Sequence, residues 1–152
     1  MTRPPFVYFG GKQVLADRIA ALLPAHLHYV EPFCGSLAVL LAKRPSRMET
    51  VNDLDREVMT FWRILRDRPE DLERMCALTP HARTEYTAVL EASPGGEELE
   101  VARRGWVRLT QGRAGQLRRT TGWRYFKDPH GSGVSMPGYL EAYRTRLAPC
   151  LD

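Results

Sequence analysis

Apolar positions along this 152-residue chain fall into two rhythms. Leu27 to Val30 is a short apolar run, and Glu49 to Val51 follows a break at Pro45; both are too brief for helices and predict strands. Leu37 to Lys43, between them, predicts a short helix. Upstream, Lys12 to Leu23 carries Leu15, Ile19, Leu22 and Leu23 at helical spacing and stops at Pro24. From Asp55 onward the period stays helical. Val58, Phe61, Trp62 and Leu65 mark one helix; Leu72, Met75 and Cys76 mark the next, after Pro69. Tyr86, Val89 and Leu90 mark a third, after Pro80. Ser93-Pro94-Gly95-Gly96 breaks the chain, and a fourth helix over about 97–109 is expected to bury Leu99, Ala102, Trp106 and Leu109. Gly112 to Gly138 differs in kind. It holds six of the twelve glycines, and Asp128-Pro129-His130-Gly131-Ser132-Gly133 reads as a turn between two extended arms, a basic hairpin or ordered loop presented to a partner. A last helix is predicted from Pro137 to Leu147.

The two strands bring three polar stretches together. Glu31-Pro32-Phe33-Cys34-Gly35-Ser36 follows the first strand and leads into the short helix. In a strand–turn–helix unit, the turn lets backbone N–H groups and the helix start face a ligand at the carboxyl end of the strand. Asn52-Asp53-Leu54-Asp55 closes the second strand and sets Asp53 about twenty residues past the turn, where an acid can accept hydrogen bonds from a ribose. Alternatively, Asp53 caps the helix that follows. Tyr8-Phe9-Gly10-Gly11-Lys12 completes a candidate cofactor cradle. A Walker-type nucleotide site is disfavoured: G-x-x-x-x-G-K-[ST] is missing, and Lys12 precedes Gln13.

Composition narrows the class. Apolar residues at 43% and charged residues at 26% describe an ordinary globular chain, long enough for one domain with a real core. No apolar run approaches the ~20 residues that span a membrane. Met1-Thr2-Arg3-Pro4-Pro5 is not followed by a signal core, so a cytoplasmic location is expected. Cys34, Cys76 and Cys150 are odd in number and widely spaced, which favours small buried thiols over a disulfide framework or zinc site. His26 and His28 lack an evident third ligand, so no metal is assigned. The net charge of +4 conceals an asymmetry: Arg103, Arg104, Arg108, Arg113, Arg118, Arg119, Arg124 and Lys127 form a block without one acid, leaving the rest of the chain net acidic. Such a block is either a solvated basic face or a surface for a polyanion; the interleaved Gln111, Gln116, Thr120, Thr121, Trp123, Tyr125 and Phe126, which suit bases as well as phosphates, favour nucleic acid.

Together these residues resemble the DNA adenine-N6 methyltransferases of the Dam (D12) class. Tyr8-Phe9-Gly10-Gly11-Lys12 resembles that family's N-terminal cofactor motif, an aromatic residue followed by x-Gly-Gly-Lys. Glu31-Pro32-Phe33-Cys34-Gly35 resembles its Glu-Pro-Phe-x-Gly signature, and Asn52 to Asp55 its acidic loop after the second strand. The resemblance implies an α/β fold: part of a Rossmann-like S-adenosylmethionine-dependent methyltransferase domain, with an inserted, mainly helical DNA-recognition region and a basic hairpin. Residues 1–56 would be the cofactor-binding part, 57–138 the recognition insertion and 139–152 the start of the return to the catalytic domain. Tyr8, Lys12 and Asp53 would bind S-adenosylmethionine, with Gly10, Gly11, Glu31, Phe33 and Gly35 shaping the pocket. An acidic, aromatic pocket suits the sulfonium and ammonium of that molecule. Phe33 or Tyr8 would pack on the adenine or face the cation, and Lys12 would hold the cofactor carboxylate or a neighbouring acid. Double-stranded DNA would meet Arg113, Arg118, Arg119, Trp123, Arg124, Tyr125 and Lys127, the aromatic residues packing or stacking.

The chain departs from that family in one decisive place. The Asp-Pro-Pro-Tyr motif, whose acid and proline carbonyl hold the amine of a flipped adenine, is missing. Asp128-Pro129 is the only Asp-Pro pair, and it reads as a turn. Leu37 also stands where the family often has a second glycine. The catalytic strand is therefore expected from a second polypeptide, one half of a split enzyme. The competing expectations are a non-catalytic DNA-binding module and an unrelated nucleotide-binding α/β protein. With only two strands of a larger sheet, the isolated chain is expected to be marginally stable or to associate.

Overall fold

A computed structural model of the chain describes residues 2–117 and 119–124. The expected turn at Asp128–Gly133, the expected helix from Pro137, and Arg118, Tyr125, Lys127 and Cys150 lie outside the described residues. The element order is α1 (Ala16–Leu22), β1 (His28–Glu31), α2 (Ala38–Ala42), β2 (Met48–Val51), α3 (Arg56–Asp67), α4 (Pro69–Leu78), α5 (Arg83–Glu91) and α6 (Glu98–Gln111). This mixed helix–strand order matches the α/β class read from the sequence.

Two layers of different quality result. β1 and β2 pair in parallel, with His28 opposite Met48 and Glu31 opposite Val51. The backbone pairing runs on past the strand ends: Asn52 N–H donates to the Glu31 carbonyl at 3.0 Å, and Cys34 N–H to the Asn52 carbonyl at 2.9 Å. The Glu31–Cys34 turn and the Asn52–Asp53 loop are thereby held side by side. The second layer is the helical core. α3 starts where the Asp55 carboxylate accepts the backbone N–H groups of Glu57 and Val58, at 3.0 and 3.4 Å. Asp55 is thus the cap, and Asp53 is not. One face of α3 buries Val58, Phe61, Trp62 and Leu65 against α6, which buries Leu99, Ala102, Trp106 and Leu109. Pro69 opens α4 as a first-turn proline should.

Phe6, fully buried, pins the N-terminal strand of chain to this core. Its ring meets Phe61 edge-on at 5.0 Å and Trp62 at 5.4 Å, and such burial contributes roughly 1.5–3 kcal/mol. The segment carrying Tyr8 to Lys12 is therefore docked on α3, beside the parallel pair.

Three expectations are corrected. The first helix begins at Ala16, because Lys12 to Leu15 is spent in a turn closed by Leu15 N–H on the Lys12 carbonyl at 2.9 Å. Its apolar residues do not form a core stripe: Leu15 is 46% and Leu22 83% exposed, since no described element covers that face. The stretch from Gly112 to Trp123 is no extended arm but folds back on itself. Gly112 and Trp123 form an antiparallel bridge, Arg113 N–H donates to the Gly122 carbonyl, and Arg124 N–H donates to the Gln111 carbonyl.

Candidate cofactor site

The three motif stretches line one hollow of about 270 Å³, bounded by Tyr8, Phe9, Gly10, Gly11, Lys12, Glu31, Phe33, Cys34, Gly35, Ser36, Ala38 and Asp53. A larger depression of about 650 Å³ lies between the ends of α1 and α2, but none of the motif residues reaches it.

Each edge of the hollow has a local cause. Gly11 N–H closes a turn on the Tyr8 carbonyl at 2.8 Å, and the third residue of that turn, Gly10, sits at φ +77°, which favours glycine. Gly35 sits at φ +47°, and a Cβ there would lie 2.7 Å from Cδ1 of Tyr8. The tyrosine ring thus rests directly on the glycine backbone. The Asp53 carboxylate ties the two loops: Oδ2 accepts Gly35 N–H and Oδ1 accepts Asp55 N–H, both at 2.9 Å. Each oxygen keeps a second lone pair for a ligand. From below, Trp62 donates its indole N–H to the Gly35 carbonyl at 2.8 Å.

Two acids face the hollow. Burial pushes the Glu31 carboxyl above its ordinary pKa, against the opposing pull of the Tyr29 hydroxyl, the Leu40 backbone N–H and Lys43. Burial, with the charges of Asp53 and Glu31 adding to it, pushes the Cys34 thiol up to about 12, so it stays protonated beside Met59 Sδ at 3.8 Å. Phe33 and Phe9, 77% and 67% exposed, offer open rings at the rim. Lys12 does not reach an acid: its ammonium donates to the Gly10 carbonyl at 2.6 Å and stays exposed. Leu37 is forced to φ +53° in the position where a glycine was expected, a conformation that costs a non-glycine residue about 1–2 kcal/mol.

The basic block divides. Arg103 is consumed inside the helical core, bonded to Glu85 and Glu100, and these partners hold its pKa above even the usual arginine range. Arg104 donates to the Ser93 and Gly95 carbonyls, and Arg108 to Glu57. These three therefore brace α6 rather than meeting a polyanion. Trp123 is packed too, with His81 at 5.0 Å on its ring and the Arg83 guanidinium at 5.5 Å. Arg113 and Arg119 are exposed, whereas Arg124 is half-buried. The loop also touches the cofactor turn: Phe9 N–H donates to the Gly115 carbonyl at 2.9 Å. A second hollow, about 350 Å³, opens there between Tyr8, Phe9, Asp55, Gly115, Gln116, Leu117 and Arg119.

Sequence reasoning missed Phe6 and Trp62 as supports of the site. Phe6 stands alone after Pro4-Pro5, outside any periodic run, and Trp62 gave only the signal of a core position. It also missed Tyr29, which looked like one more strand residue.

A parallel pair, a glycine turn under an aromatic ring, and an acid tied across to that turn thus meet at the carboxyl end of the strands of an α/β scaffold. The family model for D12 class N6 adenine-specific DNA methyltransferases matches residues 8–90, from the tyrosine of the cradle to the end of α5, and the chain belongs to that family. It is also 34% identical over 82 residues to a Type II methyltransferase, M1.LlaDCHI, from Lactococcus lactis subsp. cremoris; the match covers 53% of this chain and 28% of that protein. The chain thus spans under a third of that relative. No helix among the described residues is long and apolar enough to cross a membrane.

Proposed function

We propose that this chain is the cofactor-binding and DNA-recognition portion of a DNA adenine-N6 methyltransferase that uses S-adenosylmethionine. The observation that carries the reading is that Gly35 joins all three motif stretches at one hollow, its N–H on the Asp53 carboxylate and the Tyr8 ring resting on its backbone. The donor set fits the cofactor. Asp53 has acceptor capacity for a ribose, Glu31 supplies negative charge for a cation, and Tyr8, Phe33 and Phe9 supply aromatic faces. Glycine at 35 leaves the room that the Tyr8 ring takes up as one wall of the hollow. When bound, S-adenosylmethionine supplies an electrophilic methyl group; the residues here bind and orient it.

On this reading the hollow is one wall of the site, since about 270 Å³ falls below the ~300–1,000 Å³ of sites for drug-sized ligands. The fold is the corresponding part of a Rossmann-like domain: residues 1–56 bind cofactor, 57–138 recognise DNA and 139–152 lead back toward the catalytic part. The Asp-Pro-Pro-Tyr residues that would hold the adenine are not among residues 1–152, and a cytoplasmic setting brings DNA and cofactor together. Arg113, Arg119 and Arg124, with Arg118, Tyr125 and Lys127 from outside the described residues, are the DNA contacts, and Trp123 acts by packing the loop.

Incubation with methyl-labelled S-adenosylmethionine and duplex DNA tests the reading. The chain alone is expected to bind cofactor without labelling DNA, and a polypeptide bearing Asp-Pro-Pro-Tyr is expected to restore label at adenine N6. Absence of label with that partner present, despite cofactor and DNA binding, would favour a non-catalytic DNA-binding module instead.

A further inference from the structure

Tyr29 and Lys43 lie outside every motif and outside the hollow, yet both are built around Glu31. The Tyr29 hydroxyl donates to Glu31 Oε2 at 3.0 Å. The Lys43 ammonium lies 4.6 Å from the centre of the Tyr29 ring, and it is paired with Glu49 on the adjacent strand. The Lys43 side chain is only 3% exposed, whereas that of its partner Glu49 is 30% exposed. The His26 ring lies 5.9 Å from the same tyrosine ring, tilted by 38°. The tyrosine is thus clamped by a cation and an imidazole, and its one polar atom is directed at the acid that lines the hollow.

We propose that Tyr29 is a positioning residue for the cofactor site: clamped by Lys43 and His26, it fixes the Glu31 carboxylate so that an anionic oxygen faces the cationic amino-acid end of the cofactor. The inference rests on the cofactor reading above and adds a residue which that reading does not use. A carboxylate at the end of a strand has free rotation about its side-chain bonds, and holding it costs entropy at the moment of binding unless another group has already fixed it. Tyr29 supplies that fixing. Its own hydroxyl stays protonated and able to donate, because burial and then the Glu31 charge push its pKa well above the ordinary tyrosine value. The charged and titratable groups around Glu31 are Tyr29 on its own strand, Lys43 after α2, Glu49 on β2 acting through Lys43 and Tyr29, and Asp53 and Cys34 across the hollow. Burial alone would protonate Glu31 early; the tyrosine hydroxyl and Lys43 oppose that.

Calorimetric titration of the full chain with S-adenosylmethionine and, separately, with adenosine tests this across a pH series. Tyr29→Phe keeps the ring and its clamp. It is expected to weaken S-adenosylmethionine by up to about tenfold, the scale of ordering one long side chain on binding, and to leave adenosine unchanged. The pH below which S-adenosylmethionine affinity falls is expected to move upward, because one group holding Glu31 ionised is gone. In a Glu31→Gln background the same substitution is expected to add no further loss. Equal affinities and equal pH profiles for wild type and Tyr29→Phe would overturn the positioning role while leaving the cofactor reading intact. Equal weakening for adenosine would make Tyr29 merely structural and would overturn it as well. Failure of the wild-type chain to bind S-adenosylmethionine at all would remove both.

Discussion

Single residues at the hollow trade stability for ligand binding. Gly35→Ala sets a Cβ 2.7 Å from the Tyr8 ring and an alanine at φ +47°. It is expected to cost about 2 kcal/mol or more in urea unfolding and to abolish cofactor binding, because Tyr8 must leave the wall it forms. Glu31 shows the reverse sign. Its pKa is raised in the folded chain by burial, so folding favours its protonated form. The stability this confers is present at pH below the ordinary carboxylate range and is lost as pH rises through the raised value. Glu31→Gln is therefore expected to raise the thermal midpoint at pH 7.5 by about 2 °C, with the gap closing as pH falls toward 4, and to weaken S-adenosylmethionine binding. Thermal denaturation followed by circular dichroism at several pH values checks this; a lower midpoint at pH 7.5 would contradict the sign.

At the level of elements, the site is hung between a parallel pair and a helix, and the helix does most of the holding. Trp62→Phe keeps an aromatic ring on α3 but leaves a small cavity and the Gly35 carbonyl without its indole partner. About 1–2 kcal/mol of stability should be lost, together with severalfold in cofactor affinity, whereas Trp106→Phe in α6 should affect stability alone. The helices that bind this scaffold were legible from spacing: Val58, Phe61, Trp62 and Leu65 are buried as their period predicts, and so are Leu99, Ala102, Trp106 and Leu109. α1 was not, because periodicity reports an amphipathic face and not whether anything covers it. The basic block misled for a related reason. Charge counting cannot tell Arg103, neutralised by Glu100 one helical turn back and by Glu85 on α5, from Arg113 in solvent. The fold-back at Gly112–Trp123 was obscured because its turn residues, Ala114 at φ +67° and Gly115 at φ +56°, carry no strong turn pair. By contrast, the three motif stretches were read correctly as neighbours, since the order strand, glycine turn, helix, strand, acid leaves the chain one compact way to run.

For the whole molecule, a well-packed helical core carries a thinly covered parallel pair. Leu27, Val30 and Met48 on or beside the strands are 74%, 52% and 56% exposed, whereas parallel sheets are ordinarily covered on both faces. The chain is expected to unfold at low urea, with stability under ~5 kcal/mol, or to self-associate at raised concentration; a cooperative, concentration-independent transition well above that value would contradict this. The central proposition is narrower: Tyr8 to Lys12, Glu31 to Gly35 and Asp53 form one binding surface for a sulfonium nucleoside. Titrating S-adenosylmethionine into ¹⁵N-labelled chain and following backbone amide resonances tests it most directly. Saturable shifts are expected at Gly10, Gly11, Gly35 and Asp53, with the α1–α2 depression around Asp17 and Ser46 unmoved. Saturable shifts confined to that depression, or no shift at the three glycines at millimolar cofactor, would contradict it.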